Sequence, residues 1–286
     1  MPHSTLTVGN VEITVLHDAE VALPFNRTFP DVPLEAWAPY IERYPDAYSG
    51  GDSLRVHFEC YLVRSQGRTL LVDTGLGNAT SNPAVVANIG GGIDGVLLTE
   101  LEAAGFQAKD IDTVFLTHLH PDHVGWNITR IGAQESATGP TARYVANEAD
   151  WTAFETPLDS EIFGYDWWAE TVAPLRRLGV LDLINDETEL TGELTVTPTP
   201  GHTPGSMSIN SVGERAFIMG DVFHGPAQVT ETDWVFHYDM DPERAGETRK
   251  DMLEWAERED VAIAICHHSG FGRVIRESGK RYWQAL

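Results

Sequence analysis

The stretch "TVFLTHLHPDHVGWN", residues 113–127, carries four potential metal ligands within six positions: His118, His120, Asp122 and His123. They follow an apolar run that is typical of a strand buried inside a sheet. Two histidines two positions apart at an extended strand end can point to the same side of the chain. Pro121 then bends the path, so Asp122 and His123 can face the same cavity. Imidazole with carboxylate favours zinc, iron or manganese over calcium or copper. The stretch therefore predicts a metal site at a strand end.

Other ligand-type residues fall at the ends of other predicted strands, as a site for two metal ions requires. His202 lies in "TPTPGHTPGS", where Gly201 and Gly205 leave room for the backbone to pass close to a metal. Asp221 ends "RAFIMGD", and a carboxylate at a strand tip can bridge two cations. His267 and His268 follow the apolar strand "VAIAIC". These positions predict a binuclear metal site.

The order of elements predicts two sheets with helices outside, in a single domain of residues 1–286. Alternating apolar residues at 6–15 predict an opening hairpin, and residues 54–75 predict two strands joined at Ser65–Gly67. A helix is expected over 94–105, with Asp94 near its start and Gly105 past its end. The second half repeats strands, a helix opened by Asp241 and Pro242, and a last strand.

Two stretches rich in aromatic residues, 24–52 and 151–168, fit this pattern poorly. They carry Phe25, Phe29, Trp37, Tyr40, Tyr44 and Tyr48 in the first, and Trp151, Phe154, Phe163, Tyr165, Trp167 and Trp168 in the second. One interpretation is additional core or the interface of a homodimer. The other is an apolar wall around a substrate.

Composition limits the partners. The 286 residues carry a net charge of −24, which disfavours nucleic acid, anionic membranes and anionic substrates and favours a neutral small molecule. No stretch approaches the ~20 apolar residues that span a bilayer, and the start lacks a signal-peptide pattern. We therefore expect a soluble cytoplasmic protein. The two cysteines, Cys60 and Cys266, are expected to be buried and reduced, one disulfide being the alternative.

The segments "LLVDTG", "THLHPDH", "PGHTPGS", "GD" at 220–221 and a histidine after a late apolar strand resemble, in that order, the metallo-β-lactamase superfamily. The resemblance spans about residues 55–275. It implies an α/β fold, an αββα sandwich of two mixed sheets flanked by helices, with metals at one edge of the sheets. The group it is most similar to contains quorum-quenching lactonases and methyl parathion hydrolase-like enzymes.

The resemblance also implies how the ligands divide between two divalent ions, which we expect to be zinc. His118, His120 and His202 would bind one ion. Asp122, His123 and a C-terminal histidine, His267 in preference to His268, would bind the other, with Asp221 bridging. Asp73 would orient a ligand histidine.

This site predicts a hydrolase in which a hydroxide held between the metals attacks an ester or lactone of a neutral, partly apolar molecule. Asp122 would also accept a proton for the leaving group. Alternatives are an acyl-homoserine lactone lactonase, a phosphotriester hydrolase, a mononuclear-iron dioxygenase or a metal-binding protein without catalysis.

His224 lies three residues after Asp221, where similar homoserine-lactone hydrolases often have a tyrosine that hydrogen-bonds the lactone. It is a candidate catalytic residue whose charge is expected to vary near pH 6.5. His17 and His57 are expected to be ordinary strand residues.

Overall fold

The computed structural model describes residues 3–82, 93–132, 134–155, 167–211, 213 and 215–286. In spatial order, the first of its sheets contains β1 (Thr5–Val8), β2 (Val11–Pro24), β3 (Ser53–Ser65), β4 (Arg68–Val72), β5 (Thr113–Phe115), β8 (Arg143–Asn147) and β9 (Leu181–Ile184). The second contains β10 (Thr188–Thr191), β11 (Leu194–Pro198), β12 (Met207–Ser211), β13 (Ala216–Ile218), β14 (Ala262–Ile265), β15 (His268–Glu277) and β16 (Lys280–Ala285). A small hairpin pairs β6 (Ile128–Ile131) with β7 (Gln134–Ala137).

Both large sheets are mixed. Strands β4, β5, β8 and β9 run parallel to one another, as do β13 and β14, and the remaining pairs of the two sheets are antiparallel. The apolar strand β5 lies between β4 and β8, with all three of its residues buried. This is why its sequence is apolar without alternation. The predicted hairpins at 6–15 and 54–75 are confirmed.

The α-helices of the described residues cover Phe25–Thr28, Ala38–Arg43, Leu97–Ala103, Glu148–Glu155, Ala173–Arg177, Ala227–Thr230 and Pro242–Glu259. A π-helical turn over Trp168–Val172 leads into one of them, and 3₁₀ turns cover Leu34–Trp37, Pro45–Ala47, Ala108–Asp110 and Gly220–Val222. The helix predicted after Asp241 is confirmed, because the Asp241 side chain accepts a hydrogen bond from Arg244 N. No helix in the described ranges is both long and apolar enough to cross a membrane.

Three apolar layers separate these elements. One core fills the space between the sheets, with Val63 and Val72 on one side and Val196 and Ile218 on the other. A second covers the outer face of the first sheet, and a third lies between the second sheet and the Pro242–Glu259 helix. The αββα sandwich of two mixed sheets is thereby confirmed.

The cysteines belong to different layers. Cys60 lies in the core outside the first sheet and Cys266 in the core between the sheets. Both are buried free thiols, as expected, and burial raises the pKa of each well above its usual value.

The first aromatic stretch contributes mainly to the core. Of its aromatic residues, Phe25, Phe29, Trp37, Tyr40 and Tyr48 are buried. The rings of Phe25 and Trp37 stack with centroids 4.0 Å apart. In the second stretch, Trp151, Phe154 and Trp167 are buried, whereas Phe163 and Tyr165 lie outside the described residues. This packing favours the interpretation that the aromatic residues of 24–52 form additional core rather than a wall around a substrate.

A buried carboxylate at a bulge in β2 organises the loops near β5. The register between β2 and β3 shifts at Asp18, whose side chain accepts hydrogen bonds from Leu76 N, Gly77 N, Leu97 N and Trp126 Nε1 at 2.7–3.2 Å. The predicted helix at 94–105 therefore begins at Leu97 rather than at Asp94. Its first free N–H is satisfied by Asp18 from a distant strand.

We predict that Asp18→Ala lowers the free energy of unfolding by about 3 kcal/mol or more, because four buried donors lose their shared acceptor. Chemical denaturation followed by circular dichroism measures this. The control is Asp31→Ala, which removes an exposed carboxylate and is expected to change stability by under about 0.5 kcal/mol. Equal stability of the two variants would contradict the role given to Asp18.

Candidate metal centre

The predicted ligands converge at one edge of the two sheets because each follows a strand that ends there. His118, His120, Asp122 and His123 follow β5, and His202 follows β11. Asp221 and His224 follow β13, and His267 follows β14, which runs parallel to β13. All of these side chains are buried except that of Asp122, which is 19% exposed. The structure thus brings together all seven residues that the sequence predicts as ligands.

His118, His120 and His202 form one group of facing imidazoles. Nδ1 of His120 lies 3.2 Å from Nε2 of His118 and 2.8 Å from Nε2 of His202. Burial and the neighbouring imidazoles hold the pKa of His118 and His120 well below the usual range. Their rings are therefore neutral, which is the form that binds metals.

A second group consists of Asp122, His123 and His267, whose potential ligand atoms lie within 4.8 Å of one another. Oδ2 of Asp122 is 3.8 Å from Nε2 of His123 and 3.6 Å from Nε2 of His267. Nδ1 of His267 donates to the carbonyl of His57 at 2.8 Å, which leaves Nε2 directed at the carboxylates.

Asp221 lies between the two groups. Its Oδ2 is 2.9 Å from Nε2 of His267, 3.4 Å from Nε2 of His202 and 3.7 Å from Nε2 of His118. Burial alone would raise its pKa, but the surrounding histidines, His267 foremost, hold the pKa well below the usual value. Asp221 is therefore an anion that touches both groups.

The donor set fits two divalent cations. Donors of a tetrahedral zinc site lie roughly 3.4 Å apart, close to the separations found here. Nε2 of His123 and Oδ1 of Asp221 are buried 3.4 Å apart, yet neither has a hydrogen-bond partner among the described residues. Buried polar atoms are seldom left unsatisfied, and a bound cation would satisfy both.

His224 lies beside Asp221, with Nε2 3.4 Å from Oδ2. Its ring stacks on that of Phe236 with centroids 3.5 Å apart, and Phe29 packs against Phe236 from behind. Burial lowers the pKa of His224 to about 4. The expectation that its charge varies near pH 6.5 is therefore wrong, since a ring shielded from water resists protonation.

Asp73, which is predicted to orient a ligand histidine, contacts both a ring nitrogen and a backbone N–H of the "THLHPDH" loop. Its Oδ2 lies 2.8 Å from Nδ1 of His123, and its Oδ1 accepts from Thr117 N at 2.7 Å. The backbone of Asp73 has a φ of 58°, a left-handed turn at the end of β4.

Two further carboxylates position the site, and the sequence analysis missed both. Asp239 Oδ1 lies 3.0 Å from Nδ1 of His202, while its Oδ2 pairs with buried Arg249 at 3.3 Å. Asp150 accepts from Leu119 N, Thr203 Oγ1 and Gly205 N at 2.6–3.1 Å. It ties the loop of His118 and His120 to the loop of His202. Neither aspartate belongs to a local ligand pattern that could have revealed it.

The glycines around His202 allow close packing against neighbouring backbone. A Cβ at Gly201 would lie 2.3 Å from the backbone of Ala245, and one at Gly205 would lie 2.6 Å from the backbone of Asp150. The φ of Gly201 is 135°, a region that other residues rarely adopt.

Comparison with known proteins gives concordant results. The family model of the metallo-beta-lactamase superfamily matches residues 59–267. The uncharacterized protein YobT of Bacillus subtilis (strain 168) is 26% identical over 239 residues, 79% of this chain and 88% of that protein. The N-acyl homoserine lactonase AiiA of Bacillus thuringiensis subsp. kurstaki is 24% identical over 232 residues, 77% and 85% of the two chains. The solved structure of AidC, a dizinc quorum-quenching lactonase, superimposes with a TM-score of 0.81 at 20% identity, covering 99% of this chain and 97% of AidC. At this identity the superposition shows the shared fold.

The structure places His267, and not His268, beside Asp221; the ring of His268 instead packs against Trp283. We predict that His267→Ala weakens binding of one metal ion by about tenfold or more, whereas His268→Ala leaves metal affinity near that of the parent protein. Competition with a chromophoric chelator measures both affinities. The assignment is wrong if His268→Ala causes the larger loss.

Proposed function

Because the chain belongs to the metallo-beta-lactamase superfamily, we propose that it is a metal-dependent hydrolase. It would use two divalent metal ions, which we expect to be zinc, to cleave an ester or lactone bond. The substrate would be a neutral, partly apolar small molecule. The observation that carries this proposal is the position of Asp221. Its carboxylate touches two groups of metal-ligand side chains at once, through His202 on one side and His267 on the other.

His118, His120 and His202 would hold one ion, and Asp122, His123 and His267 the other, with Asp221 shared. When bound, such a metal pair would lower the pKa of a bound water molecule and would act as a Lewis acid toward the substrate oxygen.

The side chains of this chain divide the remaining work. Burial keeps His118 and His120 neutral, and Asp73 and Asp239 fix the rings of His123 and His202 through their Nδ1 atoms. Asp122 is the most exposed of the group, at 19% against 3% for Asp221. A substrate can therefore reach the Asp122 carboxylate, which is placed to pass a proton to the leaving oxygen.

Apolar rings beside the ligands support a partly apolar substrate. The ring of Phe154 lies 5.5 Å from that of His120, and Phe236 covers His224. The net charge of −24 repels anions and so favours a neutral molecule.

The named relatives favour a lactone over an open-chain ester. AiiA is an N-acyl homoserine lactonase, and AidC is a quorum-quenching lactonase. At 24% and 20% identity, these relatives support lactones as the substrate class of this chain. N-acyl homoserine lactones are therefore the second candidate.

The test is a hydrolysis panel of simple lactones, N-acyl homoserine lactones, aryl esters, phosphotriesters and β-lactams, run with elemental analysis. We predict lactone or ester turnover that chelation abolishes and zinc restores, and a loss of about 100-fold or more in kcat for Asp221→Ala. Asp251→Ala, which removes an exposed carboxylate, is the control. One metal per chain, with activity that requires ferrous iron and oxygen, would instead identify a dioxygenase.

A separate prediction concerns His224. A tyrosine hydroxyl at this position would donate a hydrogen bond to the lactone oxygen, so His224→Tyr is expected to raise the rate for N-acyl homoserine lactones relative to aryl esters by up to about 100-fold. His224→Phe supplies the ring without the hydroxyl and is the matched control. Efficient cleavage of long-chain homoserine lactones by the unaltered protein would show that His224 already serves this substrate.

A further inference from the structure

A second group of potential metal ligands lies on the first sheet and shares no residue with the centre around Asp221. It consists of His17 on β2 and of His57 and Glu59 on β3, with ligand atoms within 4.8 Å of one another. These three residues are not connected by any sequence pattern, because each is an isolated polar residue within a predicted strand.

The register of β2 and β3 brings these residues together. His57 and Glu59 are two positions apart on β3 and therefore project from the same face. His17 is the cross-strand partner of Glu59, directly before the bulge at Asp18. The face is the one that carries Tyr61 and Val63 toward the second sheet, so the group lies at the end of the central core.

The distances match those of a bound cation. Nδ1 of His17 is 3.3 Å from Oε1 of Glu59, and Nδ1 of His57 is 3.6 Å from the same oxygen. Two donors of a tetrahedral zinc ion bound at 2.0–2.2 Å lie roughly 3.4 Å apart. Nδ1 of each ring therefore lies near the carboxylate, and the two rings meet edge to face with centroids 5.6 Å apart.

Two polar atoms of the group are buried without a hydrogen-bond partner among the described residues: Nδ1 of His57 and Oε2 of Glu59. The side chain of Glu59 is only 1% exposed. A buried carboxylate oxygen and a buried imidazole nitrogen are costly to leave unsatisfied, and one cation would satisfy both.

We propose that His17, His57 and Glu59 bind an additional divalent transition-metal ion, with zinc as the best match to two imidazoles and one carboxylate. The His17 side chain is 40% exposed and provides the route of entry, with water as the remaining ligand. Glu20 is not counted, because its carboxylate, 3.6 Å from His57, also faces Arg55 at 3.7 Å.

The backbone of His57 connects this group to the proposed catalytic centre. The carbonyl of His57 accepts from Nδ1 of His267 at 2.8 Å. Fixing the His57 ring would therefore also fix the acceptor that orients His267. The ion would also join β2 to β3 next to the register shift at Asp18.

The experiment measures zinc bound per chain by equilibrium dialysis over a range of free zinc, followed by elemental analysis. The full chain is first stripped with a chelator. We expect Glu59→Gln and His17→Ala each to bind one equivalent less than the parent protein, or to bind that equivalent at least about tenfold more weakly. His237→Ala, which removes an exposed histidine outside both groups, should bind as the parent does.

The difference between variant and parent does not depend on how many ions the Asp221 centre holds, so it tests this site independently of the proposed function. Circular dichroism checks that each variant is folded, and His17→Ala alters a side chain that is 40% exposed. The proposal is overturned if either folded variant binds as many ions as the parent with unchanged affinity. His17, His57 and Glu59 would then be an ion-pair network only.

Discussion

The carboxylate of Asp221 is an anion buried between two sheets, and an isolated charge in that position would be strongly destabilising. Histidines from three other loops surround it, which is why the strands that precede those loops must end at the same edge. The parallel pairing of β13 with β14 brings Asp221 and His267 side by side. The two sheets of the sandwich thus hold two groups of potential ligands on either side of the Asp221 carboxylate.

An outer set of carboxylates keeps this arrangement in place. Asp73, Asp150 and Asp239 each connect a ligand loop to another part of the chain through hydrogen bonds of 2.6–3.0 Å. Because carboxylates of the protein hold the rings of His123 and His202, binding of a metal ion would cost less conformational entropy than it would for free rings.

The sequence predicts well whatever depends on neighbours along the chain. The buried strand before His118, the hairpins and the helix capped by Asp241 follow from local patterns, and so does the cluster from His118 to His123. Contacts between residues far apart in sequence do not follow from such local patterns. Asp18 determines where a helix begins 79 residues later, and Asp239 reaches His202 only after the chain has folded. The choice of His267 over His268 required the direction in which each ring points, which the family resemblance suggested and the strand geometry supports.

Crystals of the zinc-loaded protein, measured on both sides of the zinc absorption edge, would show whether Asp221 lies between two ions. We predict two anomalous peaks at this centre, one on each side of the Asp221 carboxylate. The first lies among His118, His120 and His202 and the second among Asp122, His123 and His267. A single peak at this centre, or two peaks that leave Asp221 without contact to one of them, would contradict it.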